Sequence, residues 1–343
     1  MFTGYIGTYT KGTSEGVYSF TLDTEKGELA RAEVAAPLIN PTYVTISDNE
    51  RFAYAVSPGG LTAYEVNKVT GELTLINSIS NKESSPCHVS IDPTNQYAAA
   101  AYYHDGTVVL YKVDPDTGRL LEQLSVAQQV GNGPNKDRQE APHMHFSGFT
   151  PDGKFLVGVD LGTDEIVTYE YKEGNLNDVQ RRATPPGSGP RHVAFHPQGL
   201  HAYAMTELSN EVLVLRYNEV NGSFDIIKSI TAIPDDFKDN SQGSAIHISS
   251  DGRFVYAGNR GHDSIVVYKV DQVTNELELV EYANTGGNWP RDFVLDPSEK
   301  FLIATNQESG NVVLFKRDAE TGKLTETDSV IQVPDPVCVK FLK

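Results

Sequence analysis

The amino-acid sequence predicts an all-β protein, a seven-bladed β-propeller with four antiparallel strands in each blade. The first observation is a repeat: Pro-x-x-Val-x-Ile/Phe-x-Pro-x-Gly, then an apolar run ending in Tyr-Ala, then a polar loop and Val-x-Val-Tyr. The second is its regularity, since copies start at residues 41, 86, 142, 190, 243, 290 and 336. The third is that no helical periodicity of useful length occurs. Four-stranded units of about 40–50 residues, repeated four to eight times, are typical of β-propellers.

Each repeat contains four short strands joined by tight turns. In the fourth repeat we predict strands over residues 191–197, 201–206, 211–217 and 224–230, with turns at Gln198-Gly199 and Asn221-Gly222. Turns of the form Asp-x-x-Thr-Gly recur at 114–118 and 318–322, with a variant at 67–71. The glycines supply the positive φ that such connections require.

The two ends of the chain are expected to close the ring. The sequence begins with three predicted strands, over 4–9, 17–22 and 29–35, and ends with one, over 337–342. One blade built from both termini pairs the edges that an open array would expose. The whole chain, 1–343, is then a single propeller domain. A pair of β-sandwiches or a β-solenoid is the alternative, and seven equal units of four strands disfavour both.

Composition excludes several classes of protein. With 28 Lys+Arg against 46 Asp+Glu the formal net charge is −18, and so acidic a surface repels nucleic acid. No window approaches the roughly 20 consecutive apolar residues of a membrane-spanning helix, and the N-terminus lacks the pattern of a signal peptide. The only cysteines, Cys87 and Cys338, form no disulfide framework and are interpreted as buried thiols. We therefore expect a cytoplasmic protein that binds neither nucleic acid nor membranes.

The repeat also predicts which polar residues meet at one mouth of the central channel. The innermost strand of each blade begins there, and the second strand of the blade ends there. Equivalent positions at the start of strand one are Thr42, Cys87, His145, Arg191, Ser244, Arg291 and Val337. Equivalent positions at the end of strand two are Tyr103, Leu161, Glu207, Arg260 and Gln307, with Asp160, Asn259 and Asn306 one residue earlier. Ionisable groups facing a narrow channel are costly unless they are paired or used.

Each of these residues also has a purely structural interpretation. Arg191 and Glu207 belong to one repeat and could form an ion pair, His145 could simply line the channel, and Arg260 could cap backbone carbonyls. A metal site is not expected. His143 and His145 lie on the same side of a strand with His192 and His196 nearby in sequence, but no further ligands stand at a suitable spacing and the arginines would repel a cation.

Several of these segments resemble one family. They are Tyr5-Ile6-Gly7-Thr8-Tyr9-Thr10, Pro142-His143-Met144-His145, Gly189-Pro190-Arg191-His192-Val193-Ala194-Phe195-His196-Pro197, Thr206-Glu207-Leu208 and Asn259-Arg260-Gly261-His262-Asp263-Ser264-Ile265. The chain resembles, over essentially its whole length, the lactonase family of seven-bladed propellers. That family includes bacterial propeller-type 6-phosphogluconolactonases and fungal carboxy-muconate lactonising enzymes.

The resemblance implies a set of site residues and no cofactor. It places the family's catalytic histidine on His145, its glutamate on Glu207, and its two anion-binding arginines on Arg191 and Arg260. His143, beside His145, could share the role of the histidine. The candidate substrate-binding residues are His143, Asp160, His192, Asn259, Arg291 and Gln307.

The function expected is hydrolysis of a sugar-acid lactone, 6-phosphoglucono-δ-lactone before others, in the pentose phosphate pathway. A neutral His145 near its ordinary pKa of about 6.5 could take a proton from water, while Glu207 orients the histidine or is itself the base. Arg191 and Arg260 would bind the phosphate and stabilise developing negative charge. The alternatives are a muconate-type lactonising cycloisomerase, a metal-dependent propeller lactonase and a non-catalytic interaction propeller.

Overall fold

The structure is a computed structural model that describes residues 1–343, and it contains 29 β-strands and one 3₁₀ turn at Lys172–Gly174. The chain begins in the blade that it also completes, which we call blade seven. The four N-terminal strands of that blade are β1 (Phe2–Thr8), β2 (Gly16–Asp23), β3 (Glu28–Leu29) and β4 (Glu33–Pro37). None of the helical structure has the length and apolarity that crossing a membrane requires.

Blades one to six follow in chain order, each a four-stranded antiparallel sheet. Blade one contains β5 (Val44–Ile46), β6 (Phe52–Ser57), β7 (Gly60–Val66) and β8 (Leu73–Ser80). Blade two contains β9 (His88–Ile91), β10 (Tyr97–Tyr102), β11 (Thr107–Val113) and β12 (Leu120–Gln128). Blade three contains β13 (Met144–Phe149), β14 (Phe155–Asp160), β15 (Glu165–Glu170) and β16 (Asn177–Ala183). Blade four contains β17 (Pro190–Phe195), β18 (His201–Thr206), β19 (Glu211–Tyr217) and β20 (Phe224–Thr231). Blade five contains β21 (Gln242–Ile248), β22 (Phe254–Arg260), β23 (Ser264–Val270) and β24 (Leu277–Asn284). Blade six contains β25 (Pro290–Leu295), β26 (Phe301–Asn306), β27 (Asn311–Arg317) and β28 (Leu324–Gln332). The last strand, β29 (Pro336–Phe341), returns to blade seven.

The predicted closure of the ring is confirmed. β29 pairs antiparallel with β1, in a register that sets Gly4 opposite Phe341 and Ile6 opposite Val339. The innermost strands of neighbouring blades, β5, β9, β13, β17, β21, β25 and β29, contact one another around a closed circle. Because the C-terminal strand is the innermost strand of its blade, it takes part both in the sheet and in the channel wall.

One predicted strand is wrong in its extent. The segment predicted as a strand over 29–35 is divided into β3 and β4, which both pair with β2. The pairing moves from Leu22–Leu29 to Ser19–Glu33, so three steps along β2 match four steps along the outer segment. The additional residue forms a bulge that interrupts the strand.

The core consists of seven apolar clusters, one at each interface between neighbouring blades. On β6, Phe52 and Tyr54 pack toward blade two, whereas Ala53 and Ala55 pack toward blade seven. Both faces of each middle strand are therefore buried. This explains why these strands read as continuous apolar runs rather than as an alternation of apolar and polar residues.

The Asp-x-x-Thr-Gly turns join the outer strands at the end of the ring opposite the predicted mouth. In the turn after β11, the Asp114 carboxylate accepts hydrogen bonds from the N–H groups of Asp116 and Thr117. Gly118 has φ of +69°, and a Cβ there would come within 2.3 Å of the Phe52 ring. Glycine is thus required both by its backbone conformation and by the close approach of the neighbouring blade.

Candidate active site

In blades three, four, six and seven, a β-bulge near the start of the innermost strand releases one residue from the ladder, and this residue lines the central space. In blade four, Pro190 pairs with Thr206 and His192 with Met205, which leaves Arg191 without a partner in the ladder. The same irregularity leaves out His145 in blade three and Arg291 in blade six. A bulge of this kind redirects a side chain out of the plane of its sheet. A space of about 10 Å³ inside the ring is lined by the residues so placed and their neighbours: Thr42, Tyr43, Cys87, His145, Arg191, His192, Arg291, Asp292 and Val337.

Above this space the channel widens into a cavity of about 550 Å³ at the predicted mouth. Glu207 reaches it from the loop after β18, and Arg260 from the last position of β22. The remaining lining residues are Tyr9, Asn40, Thr42, Ser85, Pro86, Cys87, Tyr103, His104, Arg138, His145, Gln242, Trp289 and Arg291. The structure therefore brings together His145, Glu207, Arg260 and Arg291, with Arg191 immediately below.

Glu207 is the only carboxylate that lines the cavity, and three arginines bind it. Its Oε2 accepts hydrogen bonds from Arg191 Nε at 3.1 Å and from a terminal nitrogen of Arg260 at 2.6 Å, while Arg138 binds Oε1. The Glu207 side chain is 4% exposed. Burial by itself would raise the pKa of Glu207, but Arg260 and Arg191 hold it well below its usual range. The carboxylate is therefore permanently charged, and both of its oxygens are occupied.

His145 is buried beside this network and is not bonded to it. Its Nδ1 has no hydrogen-bond partner, and its ring packs edge-on against those of His192 and Tyr103, at centroid distances of 5.2 and 5.8 Å. Burial and the charge of Arg191 lower the pKa of His145 well below its usual 6.5. The imidazole is consequently neutral at physiological pH, as expected, but the expectation that its pKa lies near 6.5 is wrong, because the sequence does not show its burial beside Arg191.

The sequence matches the family described as Lactonase, 7-bladed β-propeller, over residues 3–341. The chain belongs to this family. It is 53% identical to a 6-phosphogluconolactonase of Bacillus subtilis, with 99% of this chain and 98% of that protein covered. Among solved structures it is similar to a protein from Lactobacillus plantarum, with 33% identity, a TM-score of 0.95 and full coverage of both chains. It is also similar to a periplasmic gluconolactonase of Pseudomonas aeruginosa, with 29% identity and a TM-score of 0.93 over 100% of this chain and 99% of that one. The resemblance stated from the sequence motifs is confirmed.

Of the six residues predicted as substrate-binding, only Arg291 lines the cavity. The His143 ring stacks on Tyr103 at 4.3 Å, and its nitrogens lie 3.1 Å from the Tyr103 carbonyl oxygen and 3.0 Å from Glu140 Oε1. Asp160 Oδ1 accepts the His143 N–H at 2.7 Å and the Gly162 N–H at 2.9 Å, and thus holds the turn after β14. Burial raises the pKa of Asp160.

Asn259 and Gln307 belong to blades five and six. Asn259 donates to the Ala232 carbonyl oxygen at 2.7 Å, which fixes a loop of the preceding blade. Gln307 is half-buried, and its Oε1 lacks a hydrogen-bond partner. His192 lies below the cavity, where burial and Arg191 lower its pKa well below 6.5. It contacts the site through the edge of the His145 ring and through its Nε2, which lies 3.4 Å from a terminal nitrogen of Arg191.

The cavity wall includes three residues that lie outside the motifs, which are Arg138, Gln242 and Trp289. Arg138 belongs to the loop before β13, which Gln139 fixes through the Leu161 carbonyl oxygen at 2.9 Å and Asp164 at 2.7 Å. A hint was present in the sequence, since the interval from 86 to 142 is 56 residues and exceeds every other interval in the repeat. The Arg260 guanidinium lies over the Trp289 ring, 5.5 Å from the ring centroid, and this cation–π contact stabilises the position of the arginine.

Nowhere do three or more His, Cys, Asp or Glu side chains come together in a group that could hold a metal ion. In and directly below the cavity, the buried imidazole of His145 and the fixed carboxylate of Glu207 lie beside four guanidinium groups. Counted as formal charges, four arginines against Glu207 and Asp292 leave +2 in a protein whose net charge is −18. Such a site attracts small anions.

Proposed function

We propose that this protein hydrolyses 6-phosphoglucono-δ-lactone to 6-phosphogluconate, a step of the pentose phosphate pathway. The observation that carries the proposal is a neutral, buried imidazole beside a cavity lined by arginines, which is suited to attack on an anionic ester. The similarity to a 6-phosphogluconolactonase over nearly the full length of both chains supports the choice of substrate.

In the reaction, His145 removes a proton from a water molecule while the oxygen of that water attacks the lactone carbonyl carbon. The carbonyl oxygen becomes an oxyanion, which the guanidinium of Arg260 stabilises. The ring C–O bond then breaks, and the leaving ring oxygen takes the proton from the His145 imidazolium. The product carboxylic acid releases one proton to solvent, so that lactone and water give a hydroxy-carboxylate and a proton.

Glu207 is a positioning residue in this scheme and not the base. Both of its oxygens bind arginines, so Glu207 would have to give up one of these contacts to take a proton from water. No hydrogen bond joins it to His145, so its effect on the histidine is electrostatic. Its structural consequence is to hold Arg191 and Arg260 in fixed orientations, ready for charge that develops in the transition state.

The cytoplasm is the compartment we propose for this reaction. Both cysteines are free thiols, as is usual in a reducing compartment, and phosphorylated sugars are metabolised inside cells. The similar gluconolactonase of Pseudomonas aeruginosa is periplasmic, which makes the phosphate on the substrate the distinction that an experiment must test.

The test is a coupled assay of the purified protein with freshly prepared 6-phosphoglucono-δ-lactone, corrected for spontaneous hydrolysis. We expect catalysed hydrolysis that is much slower in His145→Asn and unchanged by a chelator. Unphosphorylated glucono-δ-lactone and carboxy-cis,cis-muconate are assayed in parallel. Turnover of carboxymuconate with no hydrolysis of either sugar lactone would instead establish the cycloisomerase, and turnover of none of the three would contradict the proposal.

A further inference from the structure

The four arginines of the site differ in how their charge is compensated. Arg138, Arg191 and Arg260 all bind Glu207, and Arg260 also donates to the Gly243 carbonyl oxygen at 2.7 Å. The guanidinium of Arg291 makes no ion pair and donates no hydrogen bond within the protein; its contact is with the ring of Tyr9, 5.6 Å away. One of the four guanidinium groups is thus free to bind an anion.

The surroundings of Arg291 explain why it stays unpaired. It is the bulged residue of β25, half-buried, and it lines both the 550 Å³ cavity and the smaller space beneath it. The adjacent Asp292 is already occupied, because it accepts the Val339 N–H at 3.0 Å and forms an ion pair with Lys340 at 3.5 Å. A half-buried cation without a counter-ion is unfavourable unless a ligand supplies one.

Arg191 and Arg260 are poorly placed to supply that binding. Both are about 3% exposed, and the Nε of Arg260 is buried without a partner. Arg191 lies beneath the cavity, beside a space of about 10 Å³ that is too small for a phosphate. Arg260 would have to take a terminal nitrogen away from Glu207 to offer a two-nitrogen fork to a phosphate. Separating a buried ion pair in this way costs about 3–5 kcal/mol.

We propose that Arg291 binds the phosphate of the substrate and thereby determines the preference for a phosphorylated lactone over an unphosphorylated one. This rests on the function proposed above. Arg291 presents its nitrogens to the phosphate oxygens, and Tyr9 supports the back of the guanidinium. Arg191 and Arg260 remain with Glu207 at the reacting end of the lactone.

The test compares Arg291→Gln with wild type as the ratio of kcat/KM for 6-phosphoglucono-δ-lactone to kcat/KM for glucono-δ-lactone. A charged hydrogen-bonding group contributes about 1.5–3 kcal/mol, so we expect this ratio to fall about 10- to 100-fold. Inhibition of wild type by inorganic phosphate should weaken by a similar factor in the variant. The matched control is Arg216→Gln, which removes the same charge from an exposed position on β19 and should leave the ratio unchanged.

Each outcome decides between specific possibilities. If Arg291→Gln lowers both kcat/KM values equally, or leaves the ratio and the phosphate inhibition unchanged, Arg291 is not the phosphate ligand, although lactone hydrolysis stands. If wild type hydrolyses neither lactone, the proposed function itself fails. The Tm of Arg291→Gln is measured alongside. We expect it to be close to that of wild type, because Arg291 forms no ion pair or hydrogen bond that the substitution would break.

Discussion

Replacing Glu207 with Gln separates a positioning carboxylate from a catalytic base. Two deeply buried arginines, Arg191 and Arg260, would lose the negative charge that compensates them. Breaking a buried pair by removing one partner costs about 3–5 kcal/mol. We expect the lower end, about 3 kcal/mol, because the glutamine oxygen still accepts a hydrogen bond. Arg138 contributes little to this figure, since its side chain is 33% exposed and can be solvated.

His145→Asn, in contrast, should slow the reaction with little loss of stability. The Nδ1 of His145 has no hydrogen-bond partner to lose, so the free energy of unfolding should change by less than about 1 kcal/mol. The chemical step should slow by about 10²- to 10⁴-fold, the usual contribution of a general base. Denaturant unfolding gives the stabilities, and kcat with the phosphorylated lactone gives the rates.

A double variant, Glu207→Gln/Arg260→Gln, provides the control. If the loss of stability comes from uncompensated charge, removing Arg260 as well should restore about 1 kcal/mol or more relative to the sum of the single changes. The reasoning would be refuted if Glu207→Gln were as stable as wild type while losing as much rate as His145→Asn. Glu207 would then be the base, and its arginine contacts would be incidental to its role.

Three further predictions concern stability. Deleting the last eight residues removes β29, the innermost strand of blade seven, and should give insoluble protein or uncooperative unfolding; a soluble truncation with a normal melting curve would argue against ring closure. Burial lowers the pKa of His88 to about 3 and those of His145 and His192 well below 6.5, so these side chains stay neutral in the folded state when the unfolded chain is protonated. Stability should therefore fall as pH decreases from about 6.5, by up to about 1.4 kcal/mol per pH unit for each histidine, and His88→Gln should flatten the slope measured by denaturant unfolding at pH 5 to 7. Lys340→Met should cost about 3–5 kcal/mol by leaving Asp292 without its ion pair, whereas the double change with Asp292→Asn should cost less than the sum of the two single changes; a loss equal to that sum would show that the pair is not coupled.

The repeat made much of the fold predictable. The second and third strands of blade four, β18 and β19, begin and end where the sequence places them, because their apolar residues are buried against blades on both sides. The division of the outer strand of blade seven was not predictable, since it depends on one additional residue in a solvent-exposed edge where no burial pattern fixes the register.

The candidate site was predictable in position and partly in pairing, since the Arg191–Glu207 ion pair and the Arg260 contact with a backbone carbonyl were among the interpretations and both are present. Equivalent positions in the repeat identified His145, Arg191, Glu207 and Arg260 as neighbours, and they are. The choice of positions one residue earlier on strand two selected side chains such as Asp160, which does not line the cavity, because successive residues of a strand point to opposite faces. Arg138 was missed because it lies in a loop outside the repeat.

The bulge on the innermost strands explains how a repetitive fold holds an asymmetric site. At that position the backbone adds one residue that takes no part in the strand pairing, so its side chain is released from the packing between blades. Blade three places a histidine there and blades four and six place arginines, whereas blade seven places Val337. The inter-blade clusters do not include these charged residues, so the bulged position in these blades can change its chemistry while the core keeps its packing. The unpaired charge of Arg291 therefore belongs to one bulge in blade six and does not disturb the packing of the other blades.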